Sequence, residues 1–230
     1  MTGPAFLDVG NRRIAYRWRA GAGPALVFLP GYGSDMEGAK ATALDAFAER
    51  RGVAMLRLDY SGTGSSEGRF EDGTLAAWLE ESVQAVDQLT EGPLLVIGSS
   101  MGGWLALHLA LLRPDRMQSL VCIASAADFT NWGFADAAAA RKAGLAIGFW
   151  ESGQQLLLLD GEIAIDRPVR LLHGEHDRDV PLDIAFRTMR ALRSSDVQLT
   201  VLKDGDHRLS EPREIAAILR TVAALLEPQP

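Results

Sequence analysis

The run LLVIGSSMGGW, residues 94 to 104, constrains this chain more than any other stretch. It reads as a buried strand, a sharp turn at Gly98-Ser99-Ser100-Met101-Gly102, and the start of an apolar helix. A strand that turns directly into a helix forces its central residue into strained backbone geometry and projects that side chain away from the sheet. The glycines on either side remove Cβ atoms that would collide with neighbouring backbone. The pattern predicts Ser100 as a nucleophile. An ordinary glycine-rich strand-to-helix turn is the competing reading, since five matched residues occur often by chance; the flanking strand and helix give the motif its weight.

Around this turn the chain alternates short apolar runs with helical patterns. FLDVGNRRIAYRWRA predicts a hairpin turning at Gly10-Asn11. Strands are expected at 25–29, 53–58, 94–98, 120–124, 169–173 and 197–202. Helices are expected at 36–50, 74–90, 101–112, 181–193 and 211–226, the second with Leu75, Trp78, Leu79, Val83 and Val86 on one face. Short strands without strict alternation, separated by amphipathic helices, indicate an α/β fold with a mainly parallel sheet flanked by helices. Residues 1 to 230 read as a single domain, with one irregular interval at 129–167, longer than a single helix needs. An inserted lid is the expectation there, with an alanine-rich helix near 134–145 and Trp132, Phe149 and Trp150 as candidate substrate-pocket residues. The alternative is that these side chains only pack the insert onto the body.

The net charge of -7 and the scatter of the arginines argue against a nucleic-acid partner. No apolar stretch is long enough to span a bilayer, so stable membrane insertion is not expected. A signal-peptide h-region is missing from MTGPAFLDVGNRR, and Cys122, the one cysteine, lies in an apolar run that predicts a buried thiol. These features favour a cytoplasmic protein. No group has metal-ligand spacing, and LDYSGTGSSEG lacks the lysine of a phosphate-binding loop, so neither metal nor cofactor is expected.

A serine hydroxyl needs a base within hydrogen-bond reach. Of the four histidines, His207 is the best placed, in the loop DGDHRLS after the last expected strand. His108 falls inside a helix, while His173 and His176 fit local hydrogen bonding better. The base needs a carboxylate to orient it, and Asp177 follows the penultimate strand, with Asp179 and Asp128 as rivals. The developing oxyanion needs two donors, for which the amides of Met101 and Tyr32 are expected. Losing one such donor costs about 3 kcal/mol of transition-state stabilisation.

The segments GYGSDMEGAKA, LDYSGTGSSEG, GSSMGGW, ASAAD, RLLHGEHD and DHR extend over most of residues 25 to 208. With them the chain resembles the α/β-hydrolase superfamily and, more narrowly, its acyl-glucuronide esterase and palmitoyl-protein thioesterase family. That resemblance implies the α/β-hydrolase fold, Ser100, Asp177 and His207 as catalytic residues, and cofactor-free hydrolysis of acyl esters or thioesters. Its substrate would be a small molecule or an acylated protein. The chain departs from many members in carrying Pro30-Gly31 where they have His-Gly, and it matches least within the insert. The same fold and triad also serve acyl transfer and C–C bond hydrolysis, and an inactive scaffold would be a binding module.

Overall fold

A computed structural model of the chain describes residues 3–227. Strands β1 (Ala5–Val9) and β2 (Arg12–Arg19) form the expected antiparallel hairpin, and β2 pairs antiparallel with β4 (Val53–Leu58). The remaining strands are parallel: β3 (Ala22–Leu29), β5 (Leu94–Ser99), β6 (Met117–Ile123), β7 (Val169–Gly174) and β8 (Val197–Leu202). Their order across the eight-stranded sheet is β1-β2-β4-β3-β5-β6-β7-β8.

Helices cover both faces, which is why the central strands are apolar throughout. Leu26 and Phe28 of β3 share a core with α1 (Ala39–Arg51) and α8 (Pro212–Leu226). Val27 and Leu29 of the same strand instead join a core with α2 (Leu75–Leu89) and α3 (Met101–Leu112). The α2 start is set by Thr74, whose side chain accepts the Ala77 amide at 3.1 Å. Helix α1 starts later than its pattern suggests because the preceding residues serve the loop: the Met36 amide donates to the buried Asp59 carboxylate at 2.7 Å. That aspartate also takes the Ser65 amide at 2.8 Å, tying the first strand-to-helix loop to the LDYSGTGSSEG turn.

The chain passes from β3 to its neighbour β4 on one side, then crosses to β5 on the other. In parallel sheets such a reversal opens a crevice outside the carboxyl ends of the two strands. Leu29 pairs in register with Gly98, so the residues after β3 and after β5 meet at this crevice.

Between β6 and β7 the chain forms three short helices, α4 (Phe129–Trp132), α5 (Ala137–Lys142) and α6 (Ile147–Gln154). The alanine-rich helix is shorter than expected, beginning at Asp136, which caps the Ala139 amide at 2.8 Å. After β7 comes α7 (Leu182–Ala191).

A half-buried ion pair joins the hairpin to the body. Glu81 on α2 is fully buried and accepts the Ser61 amide at 2.9 Å and Arg12 Nε at 2.6 Å. Burial pushes its carboxyl up, against the pull of these donors. Arg12→Leu strands that acid and should cost about 2 kcal/mol, less than a wholly buried pair because Arg12 reaches solvent. Thermal unfolding should show a fall in Tm of about 4–8 °C. Arg13→Leu, which breaks an exposed pair with Glu67, should shift stability by less than about 0.5 kcal/mol.

Candidate active site

Ser100 has φ 55° and ψ −121°, a conformation disfavoured for a side chain with a Cβ. The surrounding packing imposes it. A Cβ on Gly98 would lie 2.1 Å from the Gly102 carbonyl oxygen, and one on Gly102 would lie 2.1 Å from that of Leu29. Only glycine at both positions lets α3 start against the ends of β3 and β5. The Ser100 backbone is held by its amide to the Ile123 carbonyl at 2.8 Å and by the Ala126 amide to its carbonyl at 3.0 Å.

The side chain so presented meets His207, whose Nε2 lies 3.0 Å from Ser100 Oγ. On the other side of the ring, Nδ1 lies 2.8 Å from Asp177 Oδ2. A carboxylate only accepts, so Nδ1 carries the proton and Nε2 is free to accept from the serine. Asp177 is buried, and its Oδ1 takes the amides of Asp179 at 2.9 Å and Val180 at 2.8 Å. Burial raises its carboxyl, but the His207 bond and these amides outweigh that and hold it below its ordinary value.

His207 rides on a loop with two residues in left-handed backbone, Asp204 (φ 60°) and Leu209 (φ 44°). Several ties impose this shape. Asp206 Oδ1 accepts the amides of Arg208 at 2.9 Å and Leu209 at 3.1 Å. Lys40, in the first turn of α1, donates to the Arg208 carbonyl and bridges this loop to the one following β3. This gives a physical purpose to the lysine in GYGSDMEGAKA.

Tyr32 and Met101 both line a cleft of about 230 Å³ together with Ser100 and His207. Among the described residues neither amide is assigned a backbone acceptor. The Tyr32 ring packs against Phe70, with centroids 4.8 Å apart, against Phe149 at 5.0 Å and against the cleft-lining Phe129 at 6.3 Å.

The expected pocket aromatics divide. Trp132 lines the cleft, joined by Phe129 and Phe134, which the sequence did not single out. Phe149 and Trp150 do not line it. Phe149 is buried behind Tyr32 and Phe129, close to Trp78, because it falls on the body-facing side of α6. Trp150, the next residue on that short helix, is part-buried against the same core.

The remaining candidates have other partners. His108 and the Trp104 indole both bond the Leu156 carbonyl, at 2.9 Å and 3.0 Å, fastening the insert to α3. His173 is buried, with Nε2 2.9 Å from the Val180 carbonyl, steadying the loop that carries Asp177. His176 is exposed. Asp128, far from His207 in its bonding, accepts the amides of Leu158 at 2.9 Å and Leu159 at 2.7 Å. Cys122 is buried, and that burial pushes its thiol up to about 12.

The family model described as alpha/beta hydrolase fold matches residues 24–143. The chain belongs to this family. Human palmitoyl-protein thioesterase ABHD10, mitochondrial, is 33% identical over 234 residues, which cover 93% of this chain and 76% of that protein. The solved structure of alpha/beta hydrolase domain-containing protein 10 from mouse has a TM-score of 0.90 at 32% identity, covering 97% of this chain and 98% of that one. A solved hydrolase structure from Agrobacterium vitis S4 reaches 0.91 at 34% identity over 99% of both chains. Among the described residues no helix is long and apolar enough to cross a membrane.

Two outcomes follow from the carboxylates. Asp128→Ala leaves the Leu158 and Leu159 amides without their acceptor and should cost about 1–3 kcal/mol. Limited proteolysis should then cut faster between residues 129 and 157. Asp177, held below its ordinary value, stabilises the fold above that value and loses the contribution as pH falls through the depressed one. Asp177→Asn should therefore be less stable than wild type at neutral pH, with the gap in Tm closing below about pH 4.

Proposed function

We propose that the protein is a serine hydrolase that cleaves carboxylic esters or thioesters with an apolar acyl group. The observation that carries this is the unbroken hydrogen-bond chain from Ser100 through His207 to Asp177 at the wall of an aromatic-lined cleft. Ser100 Oγ attacks the carbonyl carbon while His207 Nε2 takes its proton, and Asp177 holds the imidazolium that forms. The carbonyl oxygen, now an anion, receives the amides of Tyr32 and Met101. His207 passes its proton to the leaving alcohol or thiol, then draws one from water to release the acid from Ser100.

Phe129, Trp132 and Phe134 offer the apolar surface for the acyl group. We assign residues 129–167 as a lid within one hydrolase domain, because three cleft-lining aromatics come from it. The thioesterase name carried by the human relative supports thioesters among the substrates, as small molecules or acylated proteins. Nucleic acid, metal and cofactor have no part in these steps. The relative's name carries a mitochondrial address. A cytoplasmic location for this chain rests on its composition, and fractionation of its native cells tests it.

The deciding experiment is turnover of matched esters and thioesters, acetyl to palmitoyl, by wild type and variants. Ser100→Ala should form no acyl-enzyme, and His207→Gln should lose about 10⁴-fold or more in kcat/KM. Turnover retained by purified Ser100→Ala would refute the assignment.

A further inference from the structure

Behind the loop that follows β3 lies a second hollow, of about 220 Å³, which shares no lining residue with the cleft at Ser100. It is small for a drug-sized molecule and roomy enough for an ion with a few waters. The first turn of α1 opens into it through Ala39, Lys40 and Ala41. Gly38 begins that helix with no side chain to cap it, and among the described residues the amides of these three have no assigned acceptor. Helix amides left in this way carry partial positive charge.

Side chains converge on the same space. Ser99 ends β5 on the face of Leu95 and Ile97, the side that α1 and α8 cover, and it lines the hollow. It is 6% exposed, and among the described residues its hydroxyl has no assigned hydrogen bond. Lys40 gives one ammonium proton to the Arg208 carbonyl and keeps two others. Arg208 lines the hollow as well. Burial lowers the Lys40 ammonium below its ordinary value; Asp206 and Glu214 oppose that, and the like charge of Arg208 adds to it. Asp35 brings a carboxylate to the lining, with its Oδ1 engaged by the Glu37 amide at 2.9 Å. The carboxylates of Asp206 and Glu214 are likewise engaged, by the Leu209 amide at 3.1 Å and the Glu211 amide at 3.0 Å.

We propose that this hollow is a binding site for a small oxyanion, either inorganic phosphate or the phosphate end of a larger molecule. The ion accepts from the α1 amides, from Lys40 and from the Ser99 hydroxyl, and it offsets the repulsion between Lys40 and Arg208. Its donors come from α1, from the end of β5 and from the loop that carries His207, so binding ties that loop more firmly to α1. The site stands apart from the hydrolase chemistry and does not depend on it.

The test is titration of the purified protein with sodium phosphate, with sodium chloride holding the ionic strength constant, followed by heat of binding and by Tm. With a Kd of about 1 mM, about 20 mM phosphate should raise Tm by about 4 °C. Ser99→Ala and Lys40→Met should each weaken binding about tenfold. Gly38→Asp places a carboxylate over the same amides and should abolish the phosphate response. It keeps the fold, since Gly38 is extended (φ −61°, ψ 163°) and a Cβ there meets nothing nearer than the Asp35 carbonyl oxygen at 3.7 Å. In wild type, phosphate should also slow amide hydrogen exchange at Arg208 and Leu209. Glycerol phosphate binding as tightly as phosphate assigns the site to a phosphomonoester, and weaker binding assigns it to the free ion. A phosphate response no larger than that of chloride, or one equal in wild type and Gly38→Asp, overturns the proposal. So does exchange at Arg208 and Leu209 that phosphate leaves unchanged.

Discussion

The contact on which the rest depends is the one between the first turn of α3 and the ends of β3 and β5. Backbone meets backbone there, with no room for a Cβ at Gly98 or Gly102. Moving α3 outward by the width of a methyl group would relax Ser100, but it would open the core beneath Trp104 and Leu105, both fully buried. The unfavourable backbone of Ser100, of order 1–3 kcal/mol, is therefore held in place by packing across the whole central sheet. The end of β6 and the turn after it add to this, with the Ser100 amide on the Ile123 carbonyl and the Ala126 amide on the Ser100 carbonyl.

The other two members of the hydrogen-bond chain are held differently. Asp177 is fixed within its own short loop, by amides two and three residues ahead. The loop that carries His207 depends on distant parts of the chain, with Lys40 of α1 donating to the Arg208 carbonyl and Glu175 accepting the Asp204 amide at 3.1 Å. Ser100 is set by the core, Asp177 by local turn geometry and His207 by ties between loops. Disturbance of the surface should accordingly reach His207 before it reaches Ser100.

Much of this was legible along the chain. Apolar runs marked the five inner strands β3 to β7 because they are largely buried, and the edge strand β8, which buries no residue, was marked by its β-branched run instead; a period near 3.6 marked the long helices. That Ser100, Asp177 and His207 meet could be expected because parallel strands end on one edge, which makes the residues after β5, β7 and β8 neighbours by topology. The insert resisted the same treatment. Its helices are four to eight residues long, too short for a period to say which side faces the body, so Phe149 and Phe129 could not be told apart. Asp128 was read as a rival acid; its bond to amides 30 and 31 residues away has no signature in sequence. Lys40 was likewise visible as part of a motif without a visible purpose.

Asp128 has a further consequence for how much change this chain's insert can absorb. By gripping Leu158 and Leu159 it closes residues 129–157 into a loop whose two ends meet at one carboxylate. The loop begins and ends at the same place whatever its interior does. Its length and sequence can change as an exchangeable cassette, provided that two amides return to that acid, while the strand ends keep their spacing. In this chain the cleft's aromatic wall, Phe129, Trp132 and Phe134, lies inside that loop, so it can be rewritten without moving Ser100, Asp177 or His207.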